Sequence, residues 1–89
     1  SSNNVIEFLQ SEGYIRFKAD SEASSKAIYE AYLRWCEDNA QKPMSANRIS
    51  SELAQNERLY NVEATNNVYA AGKRVRGFIG VEAMNLLPY

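Results

Sequence analysis

An α+β fold, with helices first and a β-hairpin last, follows from three features of the sequence. "SSKAIYEAYLRWCEDNAQ" repeats apolar residues at a spacing of three to four, the period of an amphipathic helix. "KPMSANRISSELAQNE" interrupts that period at a proline and restarts it. From Leu59 onward, "LYNVEATNNVYAAGKRVRGFIGVEAM" abandons it for β-branched and aromatic residues around a turn near Gly72. The 89 residues suffice for one domain, and 45% hydrophobic with 11% aromatic residues gives that domain the means to close a core.

The first helix is capped by Asn3 or Asn4, carries Val5, Phe8 and Leu9 on one face, and ends at Gly13. "YIRFKADSEAS" reads as an extended connector whose alternation allows a short edge strand. The second helix starts at Ser24 or Ser25. Its stripe of Ile28, Tyr29, Tyr32, Trp35 and Cys36 is expected in the core, with Glu30 and Arg34 paired four apart on the solvent side. Ser45 caps a third helix, 45–56, with Ile49 and Leu53 inward and Ala46 and Ala54 beside them. Its outer face carries Asn47, Arg48, Ser51, Glu52 and Gln55, a short-chained polar surface with one acid. Two antiparallel strands, roughly 61–70 and 74–83, form the hairpin, and the tail residues Leu86, Leu87 and Tyr89 are expected to pack back on the helices.

Composition excludes several functions. No apolar run approaches the ~20 residues of a membrane span. "SSNNVIEFLQ" has neither the basic nor the apolar region of a signal peptide, and the missing initiator Met suggests a piece of a longer protein. There is no His, so the usual general base is absent, and a lone Cys36 offers no disulfide and no metal-ligand spacing. A cytoplasmic, non-catalytic domain without metal or cofactor is the expectation, with Cys36 a buried small hydrophobe. The net charge of −1 hides an asymmetry: residues 1–40 hold seven acids against four bases, residues 41–89 four acids against six bases. A polyanion responds to the local excess in the second half.

That excess is concentrated in "GKRVRGFIG", where Lys73, Arg74 and Arg76 fall within four positions. With a period of two, Val75, Gly77, Ile79 and Val81 are expected on the buried face of the strand. Arg74, Arg76, Phe78, Gly80 and Glu82 are then expected on the free face. Cations there suit phosphates, and an arginine beside an aromatic ring suits bases or sugar. The plainer reading is that charges on an edge strand deter edge-to-edge pairing. Helix, capped helix after a short break, then hairpin is the order of a winged helix-turn-helix, here three helices plus a C-terminal wing. In that arrangement helix 45–56 faces the major groove and the wing touches backbone or minor groove.

The segment "SKAIYEAYLRWCEDNAQKPMSANRISSEL", followed by "GKRVRGFIGV", resembles the C-terminal domain of phage- and plasmid-type superfamily-three helicase–primases, the group that includes the poxvirus-like primase-helicases. The resemblance rests on Tyr29, Tyr32, Trp35, Cys36, Asn39, Pro43, Ser45 and Leu53, and on the strand Arg76, Gly77, Phe78, Ile79, Gly80 and Val81. Members often carry Gly after the "EDN" segment, where this chain has Ala40. The resemblance implies a linker and first helix over 1–22 joining to an upstream ATPase, and a winged-helix accessory domain over 23–89, in a replication protein of a mobile element. Family ATPase and primase motifs are absent, and Gly72-Lys73 has no phosphate-loop partner glycine upstream.

The expected partner is DNA, duplex or fork. Lys73, Arg74 and Arg76 are assigned to phosphates, with Phe78 beside them. Asn47, Arg48, Ser51 and Gln55 are assigned to the groove, and Lys42 and Lys26 to the periphery. Other partners would be the remaining domains of the parent helicase–primase, with copies assembled through its ring adding avidity. The alternative is a protein-docking module for that ring or for a replication partner.

Overall fold

The computed structural model describes residues 3–84. In chain order the elements are α1 (Asn4–Leu9), β1 (Ile15–Ser24), α2 (Ser25–Asp38), α3 (Ala46–Gln55), α4 (Glu57–Tyr60), β2 (Glu63–Ala70) and β3 (Lys73–Ala83). The mixed α+β class is as expected, but with four helices and a three-stranded antiparallel sheet in place of three helices and a hairpin. The sheet order is β1-β3-β2, so the strand carrying the cations is central.

Local chemistry sets the helix ends. Asn3 Oδ1 accepts from the Val5 N–H at 3.0 Å, and Ser24 Oγ accepts from the Ala27 N–H at 3.0 Å, each satisfying an otherwise unpartnered donor. α1 stops at Leu9, and Gly13, at φ +98°, serves the turn beyond it. Ser45 stands at the N-cap of α3, but its hydroxyl makes no capping bond. α3 is shorter than expected because Asn56 leaves helical geometry (φ −134°, ψ 42°), and the chain then makes the single turn α4. Ala71 and Gly72 both take positive φ, +53° and +79°, between the paired residues Ala70 and Lys73. That is the geometry of a two-residue hairpin turn matched to strand twist.

β1 is the largest departure from the sequence expectation, a ten-residue strand where a connector or short edge strand was expected. It pairs with β3 in two registers: Ile15–Phe17 against Val81–Ala83, then Glu22–Ser24 against Gly77–Ile79. Residues 18–21 between them face Gly80 alone, so β1 bulges outward there, with Asp20 at φ +68°.

The helices cover one face of the sheet. Phe8, Tyr32 and Trp35 pack against one another with ring centroids 5.3 to 6.3 Å apart, and Ile28, Ile49, Leu53, Phe78 and Val81 close the core around them. A fully buried side chain such as Leu53 contributes about 1.5–3 kcal/mol by leaving water. Residues 1–22, expected as linker and first helix, supply Val5, Phe8, Leu9 and Ile15 to this same core. The Tyr32 hydroxyl, fully buried, donates to Asn4 Oδ1 at 2.6 Å and accepts the Met44 N–H at 2.8 Å. Asn4 Nδ2 in turn donates to the Lys42 carbonyl at 2.9 Å, so α1, α2 and the connector before α3 are tied at one point. Cys36 is buried, and burial raises its thiol pKa above the ordinary value. Arg34, expected to pair with Glu30, instead donates from Nη2 to the Met84 carbonyl at 2.8 Å. Leu86, Leu87 and Tyr89 lie outside the described residues.

The facing of β3 corrects the sequence expectation. Phe78, assigned to the free face, is 3% exposed and belongs to the core, while Ile79, assigned to the buried face, is 40% exposed. Alternation does hold from Arg74 through Arg76 to Phe78, but that side is the one the helices cover. Val81 is nonetheless buried, three residues from Phe78, because Gly80 at φ +99° inserts an extra step and resets the alternation. Only glycine fits: a Cβ at position 80 would stand 2.5 Å from the Asn61 carbonyl oxygen.

Candidate nucleic-acid interface

β1 pairs with β3 no farther than Ser24 opposite Gly77. Beyond that row only β2 accompanies β3, so the distal hairpin is a two-stranded ribbon, and Lys73, Arg74 and Arg76 all lie on it. The three cations are exposed, and Arg16–Glu82, at the other end of the sheet, is the ion pair found among the described residues. None of the ribbon's cations is tied to an internal carboxylate among those residues.

The ribbon is not regular. Between Thr65–Gly77 and Val68–Val75, β2 carries one residue more than β3, so Asn66 and Asn67 together oppose Arg76. The Thr65 hydroxyl accepts the Asn67 N–H at 3.1 Å and holds this bulge. Such a bulge bends a strand and increases its twist, re-aiming the side chain opposite it.

Arg76 borders an open groove of about 510 Å³ between α3 and the ribbon. On the helix side Ala46, Asn47, Ser50, Ser51 and Ala54 line it, and on the ribbon side Ala64, Thr65, Asn66 and Arg76. Phe78 closes its floor. No lining residue is acidic, and Arg76 is the one charged residue among them. Glu52, the acid of α3, turns away: its Oε2 accepts from Asn56 Nδ2 at 3.2 Å and from the Tyr60 hydroxyl at 3.3 Å. On the distal ribbon the Glu22 Oε2 accepts the Tyr69 N–H at 3.3 Å, and lower on β2 the Glu57 Oε2 accepts the N–H of Ala64, a groove-wall residue, at 2.9 Å.

The structure therefore brings some of the expected residues together and not others. Asn47 and Ser51 share the groove with Arg76. Arg48 and Gln55 are exposed on the outer side of α3, outside the groove lining. Lys73 and Arg74 stand at the ribbon tip, and Lys26 and Lys42 are exposed at the start of α2 and in the connector before α3. Phe78 contributes a floor, not a free ring. Ala46 and Ala54, expected beside the core, are exposed on the groove wall. Sequence reasoning missed Ser50, Thr65 and Asn66. The adjacent asparagines were the available signal, since a polar pair of low strand propensity inside a strand marks a bulge.

What the groove offers chemically is small hydroxyl and amide groups on one wall and a guanidinium on the other. These groups donate to and accept from base edges and phosphate oxygens, and no acidic residue lines the groove, Glu57 meeting it only at the Ala64 N–H. No group of three or more His, Cys, Asp or Glu able to hold a metal ion occurs among the described residues. No helix among them is long and apolar enough to cross a membrane.

Comparison with known proteins found no match among curated proteins and none among solved structures. A family model, Poxvirus D5 protein-like, matches residues 1–78, a span running from α1 through the groove to Phe78. The chain therefore belongs to the Poxvirus D5 protein-like family, as a domain of a helicase–primase-like replication protein.

Proposed function

We propose that the domain is a winged helix that binds DNA and positions the replication motor of its parent protein. In this reading α3 is the helix presented to the major groove and the β2–β3 ribbon is the wing. The element order supports it: helix, strand, three helices of which the last is a single turn, then two strands forming an antiparallel sheet with the last strand central. So does size, since a helix with its side chains is about 10–12 Å across, which a major groove about 12 Å wide admits, and ten residues give it about 15 Å of length to lie there. The observation that carries the reading is the acid-free groove in which Asn47 and Ser51 of α3 face Arg76 of the ribbon. Arg74 and Arg76 hold phosphates, Asn47 and Ser51 meet base edges, and Lys73 adds charge at the tip. Copies of the domain carried on a ring of the parent protein would strengthen weak single contacts.

Fluorescence anisotropy on labelled duplex and forked DNA at low salt tests the reading. The double variant Arg74→Ala/Arg76→Ala is expected to bind at least tenfold more weakly. Its affinity should depend less steeply on salt, by about two units of log–log slope. Equal binding by wild type and variant, or no binding by either at high protein concentration, rejects the reading. A second reading, docking to a protein, is favoured by one observation: Leu59 is 73% exposed on α4, away from the groove lining. Light scattering of the domain with the rest of the parent protein, comparing wild type with Leu59→Ser, separates the two.

A further inference from the structure

Tyr69 is 67% exposed, on the ribbon. It pairs in register with Arg74, so the two side chains lie next to each other on one face. Regular alternation along β3 puts Arg76 on that same face, the one bordering the groove with α3. Phe8, Tyr32 and Trp35 find aromatic partners in the core, whereas Tyr69's ring has none among the described residues. From Ala64 to Val81 the chain contains three cations and no acid. An unpartnered phenol ring beside a guanidinium, on a ribbon that β1 no longer pairs with and reaches through the Glu22 carboxylate at the Tyr69 N–H, adds nothing to the core.

We propose that Tyr69 and Arg74 form a stacking platform for an unpaired base, so that the ribbon selects a duplex junction bearing a single-stranded arm over blunt duplex. The inference rests on the DNA-binding reading and specifies its substrate. A ring face binds a base of any identity, but only where that base is unstacked from its own duplex. A blunt duplex buries its base faces and offers the ribbon only phosphates, which Lys73 and Arg76 meet equally well. A fork offers phosphates together with free base faces. The Tyr69 ring thus adds affinity for the fork alone, while the phosphate contacts of Lys73, Arg74 and Arg76 and the groove serve both substrates.

The test compares blunt duplex with the same duplex carrying an unpaired arm, by anisotropy, with 2-aminopurine at the first unpaired position as a stacking reporter. Wild type is expected to prefer the fork by about fivefold or more, the value of one stacked base, and to quench the 2-aminopurine. Tyr69→Ala should abolish the preference and the quenching while keeping duplex affinity, and Tyr69→Phe should retain both. Thermal melting of each variant checks that the fold is intact. If wild type binds both substrates equally while Arg76→Ala weakens both, the platform is refuted and the DNA-binding reading stands. If wild type binds neither, both are refuted. A fork preference that survives Tyr69→Ala also overturns the platform.

Discussion

Tyr32→Phe removes one oxygen and should destabilise the domain far more than its volume suggests. That oxygen donates to Asn4 Oδ1 and accepts from the Met44 N–H, and the Tyr32 side chain is fully buried. Its loss leaves one acceptor and one donor without partners. Each buried polar group left unpaired costs about 1–3 kcal/mol. Asn4 is buried, but Met44 is only partly so and water reaches its backbone more easily, which places the total near ~2–3 kcal/mol. A domain of this size has about 5–13 kcal/mol of stability in all, so the midpoint of thermal unfolding should fall by roughly 10–20 °C. Urea denaturation followed by Trp35, the single tryptophan, measures the change. Asn4→Ala and the double variant complete a cycle. Because both substitutions break the same bond, the double variant should cost at least ~1 kcal/mol less than the two singles combined. A loss below ~0.5 kcal/mol for Tyr32→Phe, or additivity within ~0.5 kcal/mol, would refute the reasoning. The same substitution should weaken DNA binding only slightly, through looser placement of α3.

Gly77→Ala is expected to cost ~3 kcal/mol or more, because the new Cβ would lie 2.7 Å from Val68 Cγ2, 2.8 Å from Ser24 Cα and closer still to the Ala23 carbonyl; backbone on that side cannot step aside, and a loss below ~1 kcal/mol would contradict the close approach. Ala40 and Ala71 both hold φ +53°, a region that strains any side chain, so Ala40→Gly and Ala71→Gly should each raise stability by ~0.5–1 kcal/mol in urea titrations, against the usual direction for glycine. Glu22→Gln keeps an acceptor for the Tyr69 N–H but removes the carboxylate at the ribbon, so DNA affinity at low salt should rise by about two- to fivefold, an advantage that fades as salt is added. Burial raises the Cys36 thiol above its ordinary value of about 9 and the Tyr32 and Tyr60 hydroxyls above about 10. The fold thus favours their neutral forms: that stability is complete below about pH 9 and lost as pH climbs through the raised values, whereas a urea midpoint that stays level well above pH 10 would contradict this.

Much of the helical part was legible because period and caps agree. The stripe from Ile28 to Cys36 has one apolar face and Ser24 before it, and it folds as that pattern requires. The strands were less legible, because periodicity assumes an uninterrupted ladder. Alternation holds as far as Phe78 and Gly80 then resets it, so taking Val75 to Val81 as one continuous apolar face chose the uncovered side for the core and put Phe78 and Ile79 on the wrong faces. β1 was legible only as a connector or a short edge strand because its middle, residues 18–21, is hydrophilic; those residues bulge away from the sheet, and only the ends of the strand follow the core. The charge cluster at 73–76 needed no register to be noticed, since three cations in four positions are visible in any conformation. Its neighbour Tyr69 was missed for the opposite reason: an aromatic in a strand ordinarily means burial, and nothing local says that the sheet has ended before it.

The point where β1 stops accompanying β3 has a bearing on how such a domain diversifies. Distal to Gly77 the two strands pair only with each other, so inserting a matched pair of residues on each side of the turn lengthens the arm by about 7 Å and leaves every side chain on its original side. Inserting one residue on each side moves the tip by half as much and turns its cations to the reverse surface. Arm length is thus adjustable in quantised increments without disturbing the helices, and relatives with longer or shorter arms should differ there by multiples of four residues.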